Sequence, residues 1–134
     1  GRYLSVRIWG VVYTMSFDRE GLGDYVRELD VISLWTWHAK DTAHLAANVA
    51  ACARRFPGKP IVLGLYLYDY GDGRPMPSDL LQAQCRTGVG LLQEGRVAGL
   101  VFLTITNDAA AVTWVADWIA RVGSLPLDPT AEAP

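Results

Sequence analysis

Apolar positions along the chain alternate between two spacings, and the alternation predicts four strand–helix pairs. The apolar run at residues 6–14 reads as a strand, and the apolar residues at positions 22, 25, 26 and 29 follow the spacing of one helix face. The same change recurs three times. It predicts strands over residues 31–35 (continuing to 37), 61–68 and 99–105, and helices over residues 42–56, 79–94 and 109–122.

Polar residues at the predicted helix starts supply candidate caps. Asp18 precedes the first helix, Ser78 the third, and Asn107 or Asp108 the last, and side chains of these types accept hydrogen bonds from the first free N–H groups of a helix. Gly88 and Gly90 inside the third helix each cost about 1 kcal/mol against alanine, and close packing of that helix on the sheet would be one reason for them.

Strands that alternate with helices predict an α/β fold with a parallel sheet. Two architectures fit residues 1–123: four βα units that form half of a (β/α)8 barrel, or a small doubly wound sheet. The half barrel is favoured because each strand leads into a polar or aromatic loop and no glycine-rich phosphate turn follows the first strand. Residues 124–134 contain three prolines without periodicity and predict an extended or disordered tail.

Composition removes several classes of function. The 134 residues fit one domain, and they carry a net charge of −2 without a basic cluster, so no nucleic-acid partner is expected. No apolar run approaches the ~18 residues that a membrane span needs. Cys52 and Cys85 lie inside helical patterns and read as small core residues rather than a disulfide. None of these features indicates a compartment.

Aromatic and polar side chains collect where the predicted strands end, which is the edge where barrel sites are built. Aromatic faces stack on sugar rings, while amides and hydroxyls bond sugar hydroxyls, so this edge predicts a carbohydrate ligand. Plain packing is the alternative for the tyrosines and for one of the two tryptophans. The candidate binding residues are Tyr13, Trp35, Trp37, His38, Tyr66, Tyr68, Thr104 and Asn107.

Asp69, in the stretch "YDYGDG", is the candidate catalytic residue. Unlike Asp18 and Asp41, it is not needed as a helix cap, so we expect its side chain to point into the cleft near Trp37 as a general acid. Glycoside hydrolysis usually takes two carboxyl groups, and all four glutamates fall in helices or the tail. His38, Asp41 and nearby residues match no strong zinc spacing, so neither a metal nor another cofactor is predicted.

Three phrases, "DVISLWTWHAKD", "FPGKPIVLGLYLYDYGDGRPMP" and "VAGLVFLTI…VTWVADWI", resemble the C-terminal half of glycoside-hydrolase-like TIM-barrel proteins. The resemblance implies that the four units are the last four of a barrel whose first four are absent here. It implies a chain that binds or hydrolyses a glycan. Three alternatives stay open: an enzyme, a catalytically inactive carbohydrate-binding barrel, and a half barrel that pairs with a second copy or with a missing N-terminal half.

Overall fold

The fold is a series of strand–helix units, seen in a computed structural model that describes residues 5–105 and 109–126. Short 3₁₀ helices follow the first two strands at Thr14–Ser16 and Ala39–His44. The strands are β1 (Trp9–Tyr13), β2 (Val31–Trp35), β3 (Ile61–Tyr66), β4 (Tyr68–Asp69), β5 (Arg74–Pro75) and β6 (Gly99–Leu103). The α-helices are α1 (Leu22–Arg27), α2 (Leu45–Arg55), α3 (Ser78–Gln93) and α4 (Ala109–Val122).

The main sheet formed by the described residues has four parallel strands in the order β1-β2-β3-β6. This confirms the predicted α/β class and parallel sheet. The doubly wound alternative is wrong, because that fold reverses its strand order and this sheet runs in chain order. Consecutive order is the arrangement within a (β/α)8 barrel. The described strands form an open sheet with β1 and β6 at its edges, not a closed barrel.

One face of the sheet packs on the helices. Register places Val12, Leu34, Leu63 and Leu100 side by side on this face, and the first three are almost fully buried. Gly88 of α3 lies directly above, because a Cβ there would be 3.1 Å from Cδ2 of Leu100. The predicted close packing is therefore confirmed at Gly88 but not at Gly90, where an added Cβ would have no neighbour within 4 Å.

The other face of the sheet carries bulky side chains that are exposed on the edge strands and buried on the central strands. Trp9 and Val11 on edge strand β1 and Leu103 on edge strand β6 are exposed. On the central strands, the Trp35 ring lies across Gly64, where an added Cβ would fall well inside van der Waals contact with the indole. Aromatic rings therefore cover this face near the C-terminal ends of the central strands.

Several predicted boundaries and caps differ from the structure. Asp18 does not cap α1, because the chain turns again at Gly21 (φ 78°) before the helix begins. Ser78 is the first residue of α3, not its cap, and its Oγ accepts a hydrogen bond from Nε2 of Gln82. The predicted cap residues Asn107 and Asp108 lie outside the described residues.

The second and third strands end earlier than predicted. Strand β2 ends at Trp35, not Trp37, and the chain then enters the 3₁₀ helix before α2. Strand β3 ends at Tyr66, and the predicted loop is an antiparallel hairpin in which Tyr68 and Asp69 pair with residues 74–75. We call residues 68–75 the 68–75 hairpin. It turns the chain back at Gly73 (φ 65°), and β3 ends just before it begins.

The two cysteines and the chain end complete the fold. Cys52 and Cys85 are buried and unpaired, as predicted for core residues. Of the predicted tail, residues 124–126 are described, and the carbonyl of Pro126 accepts a hydrogen bond from Nε2 of Gln93. Within the described ranges, each helix is too short or too polar to cross a membrane.

Candidate functional site

Aromatic rings meet at the C-terminal edge of the sheet in one connected group. Tyr13 packs edge-on against Trp37, with ring centroids 5.6 Å apart, and Trp37 lies 5.6 Å from Tyr70 at an interplanar angle of 37°. Tyr68 and Tyr66 each pack against Tyr70, at 5.4 and 5.3 Å. We call this group the aromatic cluster; its members are Tyr13, Trp35, Trp37, Tyr66, Tyr68 and Tyr70.

Trp35 and Tyr66 form the buried floor of the aromatic cluster. Their ring centroids are 5.0 Å apart, and Nε1 of Trp35 donates a hydrogen bond to Oγ of Ser33 at 2.8 Å. The indole can lie flat only because Gly64 beneath it has no side chain. These two rings therefore support the more exposed members of the cluster from below.

Gln84 of α3 fixes the end of β3 beneath the cluster. Its buried side-chain amide accepts a hydrogen bond from the Tyr66 N–H at 3.1 Å and donates one to the Tyr66 carbonyl at 3.3 Å. The pairing of β3 with β2 ends at Leu63 and Leu34. The Gln84 amide therefore bonds the Tyr66 backbone groups that β2 no longer pairs. The position of Tyr66 is thereby tied to α3.

The phenol groups of the cluster lie in a poorly solvated environment. Burial raises the pKa of Tyr66, and the neighbouring phenols of Tyr13 and Tyr70 raise it further. Burial also raises the pKa of Tyr70, with further contributions from Tyr68 and Tyr13. Both phenols are therefore protonated donors at neutral pH.

The Tyr70 hydroxyl is an exception to the rule that buried polar groups find partners. Its oxygen is shielded from solvent, yet within the described part of the chain it has no hydrogen-bond partner. Leaving such a group unpaired costs about 1–3 kcal/mol. A buried ordered water within hydrogen-bond distance would remove that cost.

An open cleft of about 530 Å³ lies beside the cluster. It is lined by Tyr13, Met15, Ser16, Arg19 and Trp37. Trp37 is 37% exposed, so this aromatic residue contributes open surface to the space. We call this space the aromatic cleft. Its size falls in the range of small-molecule sites.

Asp69 organises the 68–75 hairpin. The residue is only 3% exposed, and Oδ1 accepts hydrogen bonds from the N–H groups of Gly71 at 3.0 Å and Asp72 at 3.2 Å. Nε of Arg74 lies 3.8 Å from Oδ2. The Asp69 carbonyl also accepts a hydrogen bond from Gly73. The carboxylate therefore stabilises a local turn of the kind that aspartate commonly forms.

Asp69 and Trp37 line different cavities. The Asp69 side chain borders a second space of about 410 Å³, although the sequence predicted it near Trp37 in one cleft. Successive residues of an extended segment point to opposite sides. The Asp69 side chain therefore points away from Tyr68 and the aromatic cluster, and it reaches a different cavity. The second cavity is lined by His38, Ala39, Lys40, Asp69, Gly71, Asp72, Arg74 and Leu80.

The predicted binding residues separate into groups in the structure. Tyr13 and Trp37 line the aromatic cleft, and His38 lines the Asp69 cavity. Tyr68 is half-buried against Tyr70, and Thr104 is half-buried just after β6. Trp35 and Tyr66 form the floor described above. Asn107 lies outside the described residues.

Sequence reasoning missed two contributors to this edge of the sheet, Arg19 and Gln84, whereas Tyr70 lies in the strand exit that the sequence identified. Tyr70 continues the alternation of Tyr66 and Tyr68, so its place in the cluster had a visible signal. Arg19 and Gln84 had none, because an arginine before a helix and a glutamine within one are ordinary surface residues.

The described residues contain no group of three or more histidine, cysteine, aspartate or glutamate side chains that could hold a metal ion. Comparisons of the chain with protein-family models, with curated proteins and with solved structures found no match. The glycoside-hydrolase-like resemblance therefore stays a hypothesis, and the function has to be argued from the aromatic edge itself.

Proposed function

We propose that this chain binds carbohydrate at the C-terminal edge of its sheet, in the aromatic cleft. The observation that carries the proposal is the pair of rings Tyr13 and Trp37, packed edge-on against each other, which line an open space where Trp37 is 37% exposed. A sugar ring has an apolar face of C–H groups that packs on an aromatic ring, and hydroxyls around its rim. The cleft offers a surface of that kind.

The rest of the cluster supports the same ligand class. Trp35 and Tyr66 hold the upper rings from below, so the binding surface exists before a ligand arrives, which reduces the entropy lost on binding. Tyr70 packs against Trp37 without itself lining the aromatic cleft, so it helps to hold the indole in place.

Binding without hydrolysis is the form of this function that the geometry favours. The Asp69 carboxylate is occupied by two backbone N–H groups, and its neighbour Asp72 is paired with Arg74 on the surface. A hydrolase needs a second carboxyl group at a defined distance across the scissile bond. In the hydrolytic alternative, with Asp69 as general acid, that second group would be another aspartate or an acid outside the described residues.

Replacing Trp37 with alanine tests the proposal, with Trp9 as a matched control. Trp9 is also an exposed tryptophan, 55% exposed, but it begins β1 while Tyr13 ends it, which separates it from the cleft by roughly 13 Å. Affinity electrophoresis and calorimetry against a panel of soluble polysaccharides would measure binding. We expect Trp37→Ala to weaken binding about tenfold, near 1.4 kcal/mol, and Trp9→Ala to leave it unchanged.

Two results would count against the proposal. Equal losses of affinity in Trp37→Ala and Trp9→Ala would mean that any exposed indole binds the polymer non-specifically. If none of the polysaccharides binds, the proposed function is wrong. A parallel assay with chromogenic glycosides separates binding from cleavage. Turnover that disappears in Asp69→Asn would replace the binding proposal with the hydrolytic one.

A further inference from the structure

Arg19 places a positive charge at the rim of the aromatic cleft. It lines the same space as Trp37 and Tyr13, and its side chain is exposed. Its guanidinium forms no ion pair or hydrogen bond with the described part of the chain, whereas Arg27 and Arg74 each lie within 4 Å of a carboxylate. The donors of Arg19 are therefore available to a molecule in the cleft.

From this geometry we infer that the ligand is an acidic glycan, whose uronate carboxylate pairs with Arg19 while its sugar ring packs on Trp37. The inference rests on the proposed carbohydrate function and names its substrate class. A guanidinium presents a planar fork of N–H donors that matches the two oxygens of a carboxylate. A uronic acid carries that carboxylate directly on the ring that would stack.

The remaining lining residues fit this assignment. Met15 and Tyr13 contribute apolar surface, and Ser16 contributes a hydroxyl, so Arg19 is the charged group of the cleft lining. Asp18 and Glu20 flank Arg19 in sequence, but both are exposed and neither pairs with it. Charges of that kind are screened by salt over about 10 Å at 0.1 M, whereas a direct contact in the cleft is screened less.

A pair of polymers that differ only in charge tests the inference. Polygalacturonate and its fully methyl-esterified form share the same sugar backbone, but only the first carries carboxylates. Calorimetry would compare the wild-type chain with Arg19→Ala, Arg19→Lys and the control Arg86→Ala. Arg86 is an exposed arginine on α3 and is not among the residues that line the cleft, so its removal makes the same change in net charge.

We expect the affinity for polygalacturonate to be at least about tenfold higher than that for the methyl ester, which is the size of effect that a bidentate charged contact produces. Arg19→Ala should abolish this preference, Arg86→Ala should keep it, and Arg19→Lys should keep only part of it, because an ammonium group cannot bond both oxygens in the same plane. Trp37→Ala should weaken both polymers alike.

Three outcomes would overturn the inference. If both polymers bind equally and only Trp37→Ala weakens them, the carbohydrate function stands and the acidic specificity fails. If dextran sulfate binds as tightly as polygalacturonate, and Arg19→Ala and Arg86→Ala reduce both equally, the attraction is diffuse charge and not a site. If no glycan binds, the proposed function and this inference fail together.

Discussion

Replacing Asp69 with alanine should lower the free energy of unfolding more than any surface substitution in the 68–75 hairpin. The substitution removes the acceptor for the N–H groups of Gly71 and Asp72. Hydrogen bonds to a charged group contribute about 1.5–3 kcal/mol each, but residues 71–74 are exposed and water can reach the freed donors. Arg74 adds little, because its side chain is 59% exposed and 3.8 Å away. We therefore expect a loss of about 2–3 kcal/mol.

The amide variant separates geometry from charge. Asp69→Asn keeps an oxygen at the Oδ1 position, so it should cost only about 1 kcal/mol, because neutral hydrogen bonds contribute less than charged ones. Asp72→Ala is the matched control. Its carboxylate is 64% exposed and pairs with Arg74 only on the surface, so the expected change is below about 0.5 kcal/mol. Urea titrations followed by far-UV circular dichroism would give all three values.

A loss below about 0.5 kcal/mol in Asp69→Ala, equal to that of Asp72→Ala, would refute this reasoning. It would mean that the hairpin forms without the hydrogen bonds of the Asp69 carboxylate, and that this carboxylate is not needed for stability. The general-acid hypothesis would then regain its strongest candidate, and the glycoside assay with Asp69→Asn would become its direct test.

The remaining predictions concern the core, alkaline pH and association. Gly64→Ala should cost about 1–3 kcal/mol by overpacking against Trp35, and should weaken glycan binding as the cluster shifts; an unchanged urea midpoint and near-UV spectrum would contradict it. Burial raises the pKa of Cys52 and Cys85 from 9.0 to about 11, so the folded state holds these protons more tightly. The unfolding free energy should be unaffected by these thiols below pH 9 and should fall as pH rises towards 11, by at most about 1.4 kcal/mol per unit for each thiol. A Cys52→Ala/Cys85→Ala variant that keeps the full slope would exclude this cause. The exposed edge strands β1 and β6 predict concentration-dependent self-association, and sedimentation equilibrium showing a monomer at all concentrations would contradict it.

The architecture could be predicted from the sequence because it depends on long, repeated patterns. Apolar runs separated by helical stripes identify βα units, and right-handed crossovers leave few ways to arrange them. The buried positions of β2 and β3 are continuous in sequence, so they were visible in advance. Boundaries were less accurate, since the contact of Gln84 with Tyr66 and the hairpin that follows β3 have no signal in the apolar pattern.

The candidate site was only partly predictable, because its parts depend on three-dimensional proximity. The aromatic residues could be placed at one edge from the parallel topology alone. Whether Asp69 faces a cleft or its own turn depends on one or two residues of register, which the sequence pattern does not specify. The availability of Arg19 depends on which carboxylates come near it in space, and the sequence places two beside it that do not pair with it.

The Gln84 amide has a consequence for how the molecule opens. The Tyr66 N–H is bonded to a side chain of α3, so its exchange with deuterated solvent requires α3 to move away from the sheet. In an ordinary strand, an amide exchanges when the neighbouring strands separate. Tyr66 should therefore exchange together with the amides of α3 and not with those of β2. Its exchange rate would report how often the floor of the aromatic cluster is released, which makes one backbone amide a probe of the integrity of the site.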